Sequence, residues 1–286
     1  MINIEKNKKY LVTGGSGFLG EELIRRIIDV GGKVITISRD EGKLIELKQK
    51  FPSIDILTGD IADRFDVQQA IRGVDGVFHL AAFKHVGMAE TQSRECTKSN
   101  VIGSLYILEE SVNNNVEFVL GISTDKAAQI AGVYGATKYI MEKLFQQFEQ
   151  NYPEMKFRIV RYGNVLYSTG SVLCKWKDLL ENGKEVIVTE PEATRYFWTI
   201  EQAVDLIEQC MTEATDSHPF VPEMKSMSVK DLLTAMANKY LPEGGELNIK
   251  EIGLQAGENM HEKILEDGKY SNEVERFTIE EIMEMI

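Results

Sequence analysis

Three glycines, Gly14, Gly17 and Gly20, in the run Thr13-Gly14-Gly15-Ser16-Gly17-Phe18-Leu19-Gly20, separate an apolar stretch, Lys9–Thr13, from an amphipathic one, Glu21–Val30. Between a strand and a helix this spacing has a mechanical meaning. The first glycine takes a tight turn, the second lets backbone approach a pyrophosphate, and the third lets the helix pack closely on the strand. The helix amides and dipole then face the anion. The pattern predicts a dinucleotide-binding turn formed by Gly14, Ser16, Gly17, Phe18, Leu19 and Gly20.

The rest of the first 165 residues repeats that beginning. Short apolar runs at Lys9–Thr13, Lys33–Arg39, Ile54–Thr58, Gly76–Ala82, Glu117–Ser123 and Phe157–Tyr162 alternate with helical patterns. Each run is apolar almost throughout, as strands covered on both faces must be. The expected fold is α/β, a doubly wound parallel sheet of about six strands, of the Rossmann type. After Asn164 the pattern changes to helices over Ser171–Asn182, Glu201–Ala214 and Ser228–Tyr240, with a strand over Glu185–Thr189. Residues 1–165 thus read as a dinucleotide-binding domain and 166–286 as a smaller substrate lobe partly interleaved with it. Pro219, Pro222 and Pro242–Gly245 read as punctuation between elements.

Three further segments belong to a cofactor site. At the end of the second strand, where an NAD enzyme carries an acid for the ribose hydroxyls, stand Ser38 and Arg39; a guanidinium there suits a 2′-phosphate and favours NADP over NAD. Asp60-Ile61 after the third strand is placed to meet the adenine, and Ala81-Ala82 after the fourth to line the cofactor channel.

Composition limits the partners. With 32 Lys plus Arg against 45 Asp plus Glu the net charge is −13, which repels nucleic acid and anionic membranes, so an anionic ligand needs a local site. Cys96, Cys174 and Cys210 are widely spaced and form neither a disulfide framework nor a metal motif, and read as buried reduced thiols. No apolar run is long enough to span a bilayer, and Met1–Lys9 is polar. The chain reads as soluble and cytoplasmic, with no metal.

Tyr134 and Lys138 stand i, i+4 on one helix face, where an ammonium can favour a phenolate acting as a general base. The same spacing recurs at Tyr139/Lys143 and Tyr152/Lys156. Tyr139 points about 140° away around the helix, and Tyr152 precedes Pro153 at the helix exit. Tyr134 instead follows the loop Ser123-Thr124-Asp125-Lys126-Ala127, at the sheet edge where such folds bind ligands, and there an acid and a base are adjacent.

These segments, with His79–Val86 (HLAAFKHV), Ser123–Ala128 (STDKAA), Tyr134–Lys138 (YGATK), Arg161–Val165 (RYGNV), Thr194–Thr199 (TRYFWT) and Gly253–Glu262 (GLQAGENMHE), resemble the extended short-chain dehydrogenase/reductase superfamily. Within it they resemble the UDP-N-acetylglucosamine 4,6-dehydratases of bacterial polysaccharide and flagellin-sugar biosynthesis. The resemblance implies an intramolecular redox cycle on a UDP-sugar. Tyr134 and Lys138 would serve C4 oxidation with Thr124 on the C4 oxygen, while Lys126 would take the C5 proton and Asp125 protonate the departing C6 hydroxyl. It also implies Arg195 at the diphosphate, Asn164, Glu258, Lys84 and His85 near the substrate, and a homo-oligomer, dimer or hexamer. Gly87 and Gln129-Ile130 depart from the family's usual proline and Asn-Pro. The alternatives are a related 5-epimerase, an enzyme making or using a 5,6-unsaturated UDP-sugar, and a noncatalytic NADP-binding protein.

Overall fold

The computed structural model describes residues 3–255 and 257–286; Met1, Ile2 and Ala256, the last within the Gly253–Glu262 motif, lie outside it. The first half runs β1 (Lys9–Thr13), α1 (Phe18–Asp29), β2 (Lys33–Ser38), α2 (Glu41–Lys50), β3 (Asp55–Thr58), α3 (Arg64–Ile71) and β4 (Gly76–His79). It continues with α4 (Val86–Thr91), α5 (Ser93–Thr97), a π turn over Lys98–Ile102, α6 (Gly103–Asn113), β5 (Phe118–Thr124), α7 (Val133–Asn151) and β6 (Lys156–Tyr162). Alternation along β1 shows why helices cover both faces. Tyr10 and Val12 join the core under α1, whereas Leu11 joins the core shared with α3, α6 and α7.

The second half runs β7 (Asn164–Val165), α8 (Val172–Glu181), β8 (Val186–Val188), β9 (Thr194–Trp198), α9 (Ile200–Glu213), β10 (Pro219–Phe220) and β11 (Ser226–Ser228). It closes with α10 (Val229–Tyr240), β12 (Ile249–Glu251) and α11 (Ile279–Met285). The main sheet has seven strands in the order β10-β6-β5-β4-β1-β2-β3, and every neighbour is parallel. Strand order reverses beside β1, so a crevice opens between the carboxyl ends of β1 and β4. A third core, holding Leu173, Trp176, Phe197, Leu232 and Ile282, lies in the C-terminal half.

The structure corrects four expectations. A seventh strand exists because Pro219 and Phe220 pair with Ile159 and Val160; a proline lacks the ladder N–H, so this strand stands at the sheet edge. Thr194–Trp198, read only as a motif, is a wholly buried strand. The fourth strand ends at His79, which places Ala81 and Ala82 in the loop beyond it. Cys96 and Cys210 are buried, but Cys174 is exposed on α8.

Arg161 of β6 links the two halves from within. It is fully buried and bonds Glu142 of α7 through Nε at 3.0 Å and Nη2 at 2.6 Å, while Nη1 donates to the Ile264 carbonyl at 2.8 Å. Removing one partner of such a pair strands the other charge in the interior. Arg161→Met is expected to cost about 3–5 kcal/mol in urea unfolding, and Arg161→Met with Glu142→Leu distinctly less. Equal losses for the single and the double variant would show that the pair is not what holds this contact.

Candidate active site

A cleft of about 1000 Å³ opens at the carboxyl end of the sheet. Of the residues nominated from the sequence, all except Asp125 line it, so segments as far apart as Gly14 and Glu258 converge on one space.

The turn after β1 is shaped for close approach. Gly14 has φ +72°, and a Cβ there would stand 2.9 Å from the Ala81 amide nitrogen; at Gly20 it would stand 2.4 Å from the Gly14 carbonyl oxygen. The room these missing side chains leave, at the N-terminus of the twelve-residue α1, fits the pyrophosphate of a dinucleotide. Beneath the turn, Ala81 N–H donates to Thr13 Oγ1 at 3.1 Å, and His79 bridges Thr13 and Ser104, each at 2.9 Å. Ser104 Oγ donates to the Asn100 carbonyl at 2.7 Å, so its oxygen is left to accept from His79 Nε2–H, while the Thr13 hydroxyl donates to Nδ1. That ordering needs a neutral imidazole. Burial, with the nearby Lys138 charge, supplies it by pushing the His79 pKa down to about 3.

Ser38 and Arg39 sit at the cleft's far end, with Arg39 69% exposed and 3.9 Å from Asp60. Asp60 accepts from the Ala62 amide at 2.9 Å and pairs with Lys98 at 3.2 Å. Lys43 of α2 lines the same corner and was missed because a helical lysine in a charged run carries no signal of its own.

The reactive end is built on the turn after β5. Thr124 Oγ1 donates to Asp125 Oδ1 at 2.8 Å, and Lys126 Nζ donates to both Asp125 oxygens at 3.1 and 3.3 Å. Asp125 is 0% exposed and stands behind the cleft wall, reaching the space only through Thr124 and Lys126. Helix α7 sits directly on this turn because Gly135 has no side chain; a Cβ there would stand 2.2 Å from the Lys126 carbonyl oxygen. This brings Tyr134 to Thr124. Burial pushes the Tyr134 pKa up to about 12, while the Lys126 charge and the hydrogen bond with Thr124 pull it down. Lys138 was expected beside the phenol, but its Nζ donates to the Ile122 carbonyl at 2.6 Å. The Lys126 charge is a cation that acts on Tyr134. The rival Tyr139 stacks under Lys143 at 5.0 Å, outside the cleft lining.

Among the other nominated residues, Lys84 donates to the Thr169 carbonyl at 2.9 Å, and burial lowers its pKa. His85 stands at the N-cap position of α4 without a side-chain capping bond, Asn164 donates to the Tyr196 carbonyl at 3.3 Å, and Glu258 accepts from the Gln255 backbone amide at 3.0 Å. Arg195 is 8% exposed, with Nη1 on the Thr194 and Met260 carbonyls at 2.9 and 3.0 Å. Its Nε lies 3.6 Å from Glu262, which also lies 3.6 Å from Lys126 Nζ. Glu262 was quoted within a motif but not singled out, since a glutamate ending a motif looks like any surface acid. Among the described residues no cluster could hold a metal ion, and no helix is long and apolar enough to cross a membrane.

A family model described as polysaccharide biosynthesis protein matches residues 10–284. A Methanocaldococcus jannaschii protein described as an uncharacterized membrane protein is 34% identical over 99% of this chain and 86% of its own. A Campylobacter jejuni UDP-N-acetylglucosamine 4,6-dehydratase (inverting) is 33% identical over 94% of this chain and 81% of its own. The X-ray structure of Pen from Bacillus thuringiensis superposes with a TM-score of 0.86 at 30% identity, covering 91% of this chain and 81% of that one.

The two lysines of the site differ in ionisation. Burial lowers the Lys138 pKa to about 8, whereas at Lys126 the charges of Asp125 and Glu262 outweigh burial and raise it. Competitive acetylation read by peptide mass spectrometry is expected to label Lys138 with a midpoint near pH 8 and to leave Lys126 protected at that pH. Lys138 titrating at the ordinary lysine value would refute the environment described.

Proposed function

The chain belongs to the polysaccharide biosynthesis protein family, and from that membership we propose that it is a nucleotide-sugar 4,6-dehydratase that converts UDP-N-acetylglucosamine to a 4-keto-6-deoxy sugar for surface glycans. The observation that carries the reading is the Asp125–Lys126 pair beside Tyr134, with Lys126 and Tyr134 on the cleft wall and Asp125 buried behind it. An alcohol oxidation needs a base of the tyrosine kind. A second acid–base pair is superfluous unless an elimination follows.

The glycine turn and the cleft fit a nicotinamide dinucleotide, which when bound supplies the hydride acceptor for C4 and, once reduced, the hydride donor for C6. Tyr134 would take the C4 hydroxyl proton as the phenolate, which the Lys126 charge and the positive charge of an oxidised nicotinamide would favour against burial, with Thr124 hydrogen-bonded to the same centre. The resting Lys126 ammonium hands a proton to Asp125 across 3.1 Å, which yields an amine base and a carboxylic acid from one ion pair. The amine removes the C5 proton, made acidic by the C4 ketone. The proton that departs with the C6 hydroxyl as water comes from Asp125, and because Asp125 is fully buried it crosses through Thr124 or Lys126. Lys126 then returns a proton to C5. Two protons are taken, from the C4 hydroxyl and C5, and two are given, to water and to C5; the proton left on Tyr134 passes to the Lys126 amine, which restores the phenolate and the ammonium. Arg195 and Lys84, with Asn164 and Glu258, line the space left for the UDP-sugar. Arg39 and Lys43 support NADP over NAD, and the same reading takes the enzyme as a cytoplasmic homo-oligomer.

Proton NMR of the protein with UDP-N-acetylglucosamine and NADP in deuterated buffer is expected to show a new C6 methyl signal and deuterium at C5. Lys126→Met is expected to slow methyl formation about a hundredfold or more, as for loss of a general base. Epimerised or unchanged sugar from the unsubstituted protein would refute the reading. Arg39→Ala is expected to weaken NADP binding about tenfold or more while leaving NAD nearly unchanged, the size of one charge-assisted phosphate contact. Equal loss for both dinucleotides would refute the assignment of Arg39.

A further inference from the structure

Glu262 closes a buried cluster of four charges assembled from three separate parts of the chain. Asp125 and Lys126 come from the turn after β5, Arg195 from β9, and Glu262 from the segment following the Gly253–Glu262 motif's glycines. Asp125 and Glu262 are 0% and 1% exposed, and the side chains of Lys126 and Arg195 are 16% and 10% exposed. One oxygen, Oε1, lies 3.6 Å from both Lys126 Nζ and Arg195 Nε, while Oε2 is buried with no hydrogen-bond partner among the described residues. The groups facing this carboxylate are Lys126 and Asp125 on one side, Arg195 on another, and Asn259 from its own segment.

We propose that Glu262 is a positioning residue for the elimination, pinning the Lys126 amine between two carboxylates and tying it through Arg195 to the lobe that faces the sugar. The proposal rests on the dehydratase reading. Asp125 alone grips Lys126 from the neighbouring position in the chain, which fixes the ammonium on one side only. Glu262 supplies a second hold from another part of the chain, on an ammonium that also lines the cleft. Charge also balances: two carboxylates face two cations, so no member of the cluster is left uncompensated in the interior. A glutamate placed only to support the fold would be expected to satisfy both oxygens. Here one oxygen faces the two cations of the site, and the other has no partner at hydrogen-bond distance, with Asn259 the neighbouring polar group. The same arrangement draws the Arg195 guanidinium inward, with Nη1 on two backbone carbonyls, so it acts through this network as well as on the ligand.

Glu262→Gln keeps the shape and removes the charge. In single turnovers with UDP-N-acetylglucosamine, reduced-nicotinamide absorbance reports C4 oxidation, which uses Tyr134, and C5 deuterium reports the step that uses Lys126. Glu262→Gln is expected to lower the second relative to the first by about tenfold to a hundredfold, as for a base displaced by a fraction of an ångström to an ångström. Glu262→Asp, which keeps the charge, is expected to recover part of the loss. Both steps falling by one factor in Glu262→Gln, or neither falling, would overturn the proposal. A second reading needs no turnover: acetylation of Lys126 at neutral pH is expected to rise about tenfold in Glu262→Gln, one pKa unit in the lysine. An unchanged rate would overturn the proposal too. Absence of C4 oxidation in the unsubstituted protein would instead sink the dehydratase reading, and the acetylation result would still decide on Glu262.

Discussion

Placing ionised groups out of water at the carboxyl end of the sheet is the constraint around which this structure is arranged. Asp125 is fully buried at the end of β5, and a lone carboxylate in that position would cost several kcal/mol or lose its charge. Lys126, Thr124, Glu262 and Arg195 meet that requirement, and to do so they must come together from β5, β9 and the C-terminal segment. The C-terminal half is held against the sheet partly by this necessity. Arg161, Glu142 and the Ile264 carbonyl repeat the arrangement one layer deeper, with β6 and α7 bound to the same C-terminal region.

The glycine-turn end of the cleft is built differently. There the protein offers backbone amides and empty space, with the glycine turn shaped by what its residues lack. Its rigidity comes from the neutral chain Ala81, Thr13, His79, Ser104 and Asn100, and Asn100 also holds Phe83 at both its amide and its carbonyl. The loop carrying Ala81 through Lys84 is thereby set against both the glycine turn and α7, through Asn100 and Thr137. One end of the cleft is preorganised by neutral hydrogen bonds and the other by compensated charge.

Legibility in the sequence followed the range of the interactions. The glycine turn, the first six strands and the Thr124–Tyr134 segment were readable because each is a local pattern: a turn spacing, an apolar run, a motif within one helix and its preceding loop. The edge strand Pro219–Phe220 was not, since two residues make no pattern and their pairing with β6 is supplied by the neighbour. Lys138 on the Tyr134 face was an inference from helical spacing, and both line the cleft, but its bond to the Ile122 carbonyl had no sequence signal. Asp125 was read as a group at the reaction, and only packing placed it behind the wall.

By itself the sequence determined the doubly wound class, the anion-binding turn and which residue types stand ready for proton transfer, because these depend on contacts within a few residues. Tertiary structure alone decided that the Lys126 charge reaches Tyr134, that Asp125 is fully buried behind the cleft lining, and that Glu262 lies 3.6 Å from both Lys126 and Arg195. The physical reason is that burial and charge pairing are properties of the assembled neighbourhood. Asp125 and Glu262 are 137 positions apart in the chain and meet on the same ammonium only after both halves have folded.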